Sequence, residues 1–238
     1  MSHLIWRNTV LAFLGLLLSV YPHADCGEEQ TAILALGANE NGDQSGLADL
    51  LAKIEKSRPK DVGKMNDGAI VRIVVPAHLA RDSNLLLLSG LSQLRELTLR
   101  FVSAEIALSS NGVSALRQIR NLECIKIECG GQLPAGVLQG ICQIPSLREL
   151  TLGRATPVAD EYACLTNATN LIELSILDAP RFGDKDLETL IRLPFLRKIT
   201  LVNTAVSVNW PNIISSMPSL REMTVQQSEI SLTWRRIW

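Results

Sequence analysis

An apolar L-x-x-L-x-L triplet recurs seven times along the chain. The copies are Ile70/Ile73/Val75, Leu94/Leu97/Leu99, Leu122/Ile125/Ile127, Leu147/Leu150/Leu152, Leu171/Leu174/Ile176, Leu196/Ile199/Leu201 and Leu220/Met223/Val225. Their first residues are separated by 24, 28, 25, 24, 25 and 24 positions. The closing L-x-L spacing puts two side chains on one face of a strand. A second apolar pattern precedes the triplets at offsets of nine, six and three residues: Leu85/Leu88/Leu91, Val113/Leu116/Ile119, Leu138/Ile141/Ile144, Tyr162/Leu165/Ala168, Leu187/Leu190/Leu193 and Pro211/Ile214/Met217. Spacing of three lines one face of a helix. Each unit therefore reads as helix, tight turn and strand, and none can bury its apolar side alone. Stacked in parallel, all of them share one core, which predicts an α/β solenoid with a curved parallel sheet and helices on its convex side. A doubly wound α/β domain would also alternate helices and strands, but it would not need a constant pitch.

Local signals agree with that division. Asp82 and Asp184 occupy matching positions before two of the helices, where a carboxylate can cap backbone N–H groups. Leu47, Leu50, Leu51 and Ile54 predict an amphipathic entry helix over 47–57, stopped by Pro59. Gly37 to Gly46 (GANENGDQSG) has the composition of a flexible linker. Aromatic residues make up only 4% of the chain, so aliphatic side chains must fill the core.

Phe182 to Val206 (FGDKDLETLIRLPFLRKITLVNTAV) follows D-x-x-L-x-x-L-x-x-L-x-x-L-x-x-L-x-L-x-x-T-x-V. In this segment the chain resembles leucine-rich-repeat proteins of the ribonuclease-inhibitor-like kind, with the short 24–25-residue units of exported bacterial members. The likeness runs over about residues 47–230 and implies fold, not partner. Where that pattern has the Thr matched by Thr204, other copies carry Val102, Gly130, Ala155, Ala179 and Ser228, which predicts less regular turns there.

Residues Thr9 to Val20 form 12 uncharged, mostly apolar positions behind Arg7. A helix of that length spans ~18 Å against the ~30 Å of a bilayer core, so it suits an export signal better than a transmembrane anchor. The expected organisation is a signal at 1–24, a linker at 25–46, the repeat domain with its helical cap at 47–230 and a carboxyl-terminal cap at 231–238. Cleavage after Ala24 and retention as an anchor both stay open, and membrane contact is expected only through a retained signal. His23-Ala24-Asp25 lacks the small apolar residues that precede a lipidated cysteine, which argues against lipidation at Cys26. The expected location is outside the cytoplasm: secreted, periplasmic or in the cell envelope.

Few residues suit catalysis. Three histidines occur, and His3 and His23 lie in the signal, leaving His78 just after the first strand. No catalytic residue is assigned, no cofactor is expected, and the sequence has neither a P-loop nor a dinucleotide-binding glycine motif. Cys26, Cys124, Cys129, Cys142 and Cys164 contain no C-x-x-C pair, so no metal site is expected. Cys124 falls on the exposed strand face. Cys142 and Cys164 lie in consecutive helices on flanks that can face each other, either as a disulfide or as two buried thiols. With 23 Lys+Arg against 24 Asp+Glu, no global positive field exists to attract nucleic acid.

Strand residues alternating with the core leucines face the concave side. Their columns read Arg72, Glu96, Cys124, Glu149, Glu173, Lys198, Glu222, then Val74, Thr98, Lys126, Thr151, Ser175, Thr200, Thr224, then Pro76, Arg100, Glu128, Gly153, Leu177, Val202, Gln226. A hydroxyl ladder beside a mainly acidic column is expected to dock a protein or peptide with basic groups. The candidate binding residues are Glu96, Thr98, Arg100, Lys126, Glu149, Thr151, Glu173, Lys198, Thr200 and Glu222. The competing expectation is a cell-envelope structural protein that self-associates through its ends. Trp234 and Trp238, four residues apart, would share one side of a terminal helical turn capping the last strand.

Overall fold

The computed structural model describes residues 44–57, 59–64, 69–101, 108–158, 161–227 and 230–236. The signal at 1–24, Cys26, the linker as far as residue 43, Val102, Ser228 and Trp238 lie outside these described residues. Nine strands form one sheet in chain order. They are β1 (Val62–Lys64), β2 (Ile70–Val75), β3 (Glu96–Phe101), β4 (Cys124–Cys129), β5 (Glu149–Gly153), β6 (Glu173–Leu177), β7 (Lys198–Val202), β8 (Glu222–Gln227) and β9 (Ile230–Arg235). Strands β2 to β8 are parallel, while β1 and β9 run antiparallel to their neighbours. The fold is an α/β leucine-rich-repeat solenoid.

The pitch explains the register. Ile73 pairs with Leu97, Leu97 with Ile125, Ile125 with Leu150, and so on to Met223, so each triplet lies beside the same triplet of the next unit. All seven triplets are buried. Burial of an aliphatic side chain of this size contributes about 1.5–3 kcal/mol.

Six α-helices are found among the described residues. Entry helix α1 (Gln44–Ser57) buries Leu47, Leu50, Leu51 and Ile54. It starts three residues before the expected Leu47, because Gln44 and Ser45 supply a polar first turn whose N–H groups need no intrahelical partner. The convex side carries α2 (Asp82–Leu88), α3 (Ser110–Ala115), α4 (Val137–Cys142), α5 (Asp184–Thr189) and α6 (Trp210–Ser215). The fourth unit has a 3-10 helix, Glu161–Asn167, in place of an α-helix. A repeat this short leaves room for only one to two turns once strand and connections are placed. The predicted helical stripes are buried with one exception: Pro211 is exposed, and Trp210 fills that place in the core. Pro211 instead sits in the first turn of α6, where its missing N–H costs nothing.

Asp82 and Asp184 do not cap their own helices as expected. They are the first residues of α2 and α5, and their carboxylates reach forward to the following unit. Asp82 accepts bonds from the Ser109 backbone N–H (2.7 Å) and hydroxyl (2.6 Å). Asp184 accepts the same pair from Ser207, at 2.8 and 2.6 Å. Each serine Oγ in turn accepts from a backbone N–H two residues on, Asn111 or Asn209, both at 3.1 Å. The carboxylates thus join successive repeats.

The turns after β5, β6 and β7 are more regular than the missing threonines predict. Arg154, Asp178 and Asn203 hold the same left-handed backbone, with φ of 52°, 54° and 49°. The residue two after the last triplet position therefore sets the turn, not the threonine after it.

The carboxyl end forms a strand where a helical turn was expected. Trp234 lies in β9 opposite Met223 and packs on the core. Arg236 donates to the carbonyls of Met217 (3.1 Å) and Pro218 (2.7 Å) and stands 5.7 Å from the Trp234 ring centroid. The alternation of ISLTWR suits a strand, with every second side chain turned to the sheet face.

Candidate functional site

The ladder register carries the concave columns across the sheet as the spacing predicts. Glu96, Cys124, Glu149, Glu173, Lys198 and Glu222 are successive lateral neighbours, as are Thr98, Lys126, Thr151, Ser175, Thr200 and Thr224. Arg100 is paired with Glu128 in the third column. All ten candidate residues therefore stand on one face of one sheet.

Their exposure is uneven. Thr98 is only 8% exposed. It lies between Val74 and Lys126 on the flanking strands, so its hydroxyl is no open contact point. Thr151, Ser175, Thr200 and Thr224 are partly exposed, each able to donate and accept. Cys124, expected on the exposed face, is 7% exposed. A short thiol between the longer Glu96 and Glu149 is covered by them. Burial, reinforced by those two carboxylates and opposed by Lys126, pushes its thiol up to about 12. The group is protonated at neutral pH and is no nucleophile.

The acidic column is less acidic than its composition suggests. Glu173 faces Lys198 at 3.6 Å, and Glu222 meets Arg235 of β9 at 3.3 Å. Arg100 bonds Glu128 at 2.9 Å and approaches the buried Asp61 at 3.8 Å. Glu96 and Glu149, either side of Cys124, have no cationic partner among the described residues. Lys126 stands on β4 between their strands and Arg72 beside Glu96 on β2, so the floor over β2 to β5 carries charges of both signs. An exposed pair such as Glu173–Lys198 contributes little to stability, so a partner can rearrange it cheaply.

Elsewhere the chemistry is sparse. His78 is exposed in a 3-10 turn after β2. No group of three or more metal-binding side chains converges among the described residues. On the convex side, the Sγ atoms of Cys142 and Cys164 lie 3.4 Å apart as thiols, Cys142 at the end of α4 and Cys164 in the adjoining 3-10 helix. The hydrogen bond to Cys164, together with burial, holds the Cys142 thiol far above its ordinary range.

One row escaped the sequence reading: the residue between each anchor leucine and its strand. It reads Arg95, Glu123, Arg148, Ile172, Arg197, Arg221 and forms the amino-terminal rim of the sheet. The same alignment that displays the core triplets displays this row one position later.

No protein-family model and no curated protein matches the chain. Solved structures with some likeness include the ectodomain of the receptor kinase SOBIR1 from Arabidopsis thaliana, 16% identical over 68% of this chain and 96% of that one, at a TM-score of 0.39. An internalin (InlF) from Listeria monocytogenes is 12% identical over 61% and 50%, at 0.31. The plant peptide hormone receptor RGFR1 in complex with RGF2 is 13% identical over 71% and 36%, at 0.38. The fold assignment stands on the chain's own pitch, strand order and register.

Proposed function

We propose that this chain is an exported, non-enzymatic recognition module that engages a protein or peptide through its concave sheet face, with no cofactor. One observation carries the reading: seven parallel strands in unbroken register turn two columns of mainly charged and hydroxyl side chains, with Arg100 and Glu128 of a third, to the same side. At ~4.8 Å per strand this floor is roughly 30 Å across, the breadth of a standard protein contact. The contact residues are Glu96, Arg100, Lys126, Glu149, Thr151, Glu173, Lys198, Thr200 and Glu222, with Thr98 beneath them. Export rests on the signal read at 1–24, ahead of a linker and the repeat domain. No helix among the described residues is long and apolar enough to cross a membrane.

Crosslinking mass spectrometry in the native host would identify the partner. Replacing Glu96, Glu149, Glu173 and Glu222 by Lys should then weaken capture of that partner at least tenfold, on the order of 1.4 kcal/mol. Glu188→Lys, on the convex side, should leave it unchanged. Equal capture by both folded variants would move the site off the floor.

The convex thiols belong to the same picture. In an exporting compartment, we propose that Cys142 and Cys164 form a disulfide by exchange with a small-molecule disulfide. The two thiols lose two electrons and two protons, and two small thiols leave. Because burial and the Cys164 contact keep the Cys142 thiol protonated in the fold, the bond should form during folding and slowly afterwards. Peptide mapping of the protein recovered from the native host without reduction should find the 142–164 bridge. Two alkylatable thiols there would remove it.

A further inference from the structure

The amino-terminal rim holds a surface that the concave reading does not use. Backbone bonds link it rung by rung: Arg148 N–H to the Glu123 carbonyl (2.8 Å), Ile172 to Arg148 (2.7 Å), Arg197 to Ile172 (2.8 Å) and Arg221 to Arg197 (2.8 Å). Over four of these units lies a shallow cavity of about 400 Å³, lined by Arg120, Glu123, Arg148, Ile172, Phe195 and Arg197 among others. Three guanidinium groups face one carboxylate there. Arg148 stands 4.0 Å from Glu123. Arg120 and Arg197 form no ion pair with any described residue.

Phe195 breaks a rule that its neighbours keep. In four units the residue before the anchor leucine bonds the preceding unit: Asn121 donates to the Ser92 carbonyl (2.8 Å), Ser146 to Leu122 (2.8 Å), Asn170 to Pro145 (2.8 Å) and Ser219 to Pro194. Phe195 cannot donate. Its ring is 53% exposed in a chain with only four phenylalanines. This unit gives up a structural hydrogen bond and displays an aromatic ring between arginines.

We infer that the rim cavity is a binding site for an acidic, extended peptide segment of a partner, with an apolar side chain on Phe195 and Ile172 and carboxylates on Arg120, Arg148 and Arg197. Arg148 and Arg197 sit two rungs apart, ~9.6 Å. In a polyproline II segment, residues three apart project on one side ~9.3 Å from each other. The matching pattern is Glu-x-x-Glu with an apolar residue between. A peptide fits better than a broad polyanion. Glu123 interrupts the arginines, and the glutamates of the adjoining floor repel negative charge more than one chain wide.

The site is independent of the floor, whose charge-reversal variant leaves every one of the six named lining residues in place. The probe is a fluorescein-labelled Gly-Ser-Glu-Pro-Leu-Glu-Ser-Gly peptide, titrated against the full chain by fluorescence anisotropy at low salt. We expect saturable binding that weakens at least tenfold when both glutamates become Gln, and at least tenfold in Arg148→Glu/Arg197→Glu. Phe195→Ser, which places there the serine that two other units carry and so keeps the fold, should weaken it at least fivefold. Matching thermal melts confirm that both variants are folded. No saturation by about 1 mM, the weak end of recognition, overturns the inference. So does binding indifferent to Phe195→Ser. A heparin fragment or a DNA dodecamer that binds more tightly than the peptide, and equally to Phe195→Ser, would make this a general polyanion patch instead.

Discussion

Phe182→Ala should destabilise the protein by about 4 kcal/mol, the loss expected for emptying a large aromatic site in a packed core. Phe182 is fully buried and is the largest such side chain among the described residues. Its ring meets Tyr162 edge-on, with centroids 5.0 Å apart and planes at 90°. Tyr162 belongs to the 3-10 helix of the preceding unit, so the pair joins two repeats where the convex layer is thinnest. A chain of this length loses about 2–4 °C per kcal/mol, so the melting temperature should fall by roughly 10 °C. Phe182→Leu should cost less than half as much. Tyr162→Phe should cost little, because the hydroxyl it removes is buried without a protein hydrogen-bond partner. A melting temperature within 2 °C of the parent for Phe182→Ala would mean that the ring does not bind the two units together.

Gly112→Ala should cost about 3 kcal/mol, although alanine in a helix normally gains ~1 kcal/mol over glycine. Gly112 lies in α3, and a Cβ there would stand 2.2 Å from the Asp82 carboxylate oxygen and 2.7 Å from the Asp82 Cα. Backbone cannot swing aside as a side-chain tip can. The clash would force apart the two units that Asp82 joins, adding the loss of its charged bonds to Ser109 to the overpacking itself. Gly131→Ala is the control: nothing lies within 4 Å of a Cβ at that site. Urea denaturation should show the first variant shifted strongly and the second within about 0.5 kcal/mol. Equal midpoints for both would show that α2 and α3 slide freely past each other.

Much of this architecture was legible because a repeat states the same physics several times. One triplet leaves helix and strand undecided, whereas seven at near-constant pitch leave one register. The register then placed every column of the floor. Orientation and reach were harder to read. Asp82 and Asp184 have the composition of helix caps, and spacing alone does not say whether a carboxylate turns back or forward. Forward won because the next unit presents a serine N–H and hydroxyl together. Cys124 sits in an exposed column, yet a short side chain between two glutamates is covered regardless of its column. Phe195 passed as ordinary because a single phenylalanine in a turn has no sequence signature. It becomes unusual only when the hydrogen bonds of its counterparts are known.

Strands β1 and β9 run backwards, and that bears on self-association. A stack of parallel strands with bare ends has a direction, so the front of one copy fits the back of the next and addition never terminates. Both reversed strands point the same way, so a newcomer in the same orientation would lay its β1 parallel to β9, and the ladder by itself does not stop head-to-tail addition. The outer edge of β9, with Leu232 half open to water, also suits another β9 running antiparallel across a twofold axis. Such an encounter consumes the two β9 edges and leaves a β1 strand at each far end, so the pair is closed on one side of the sheet only.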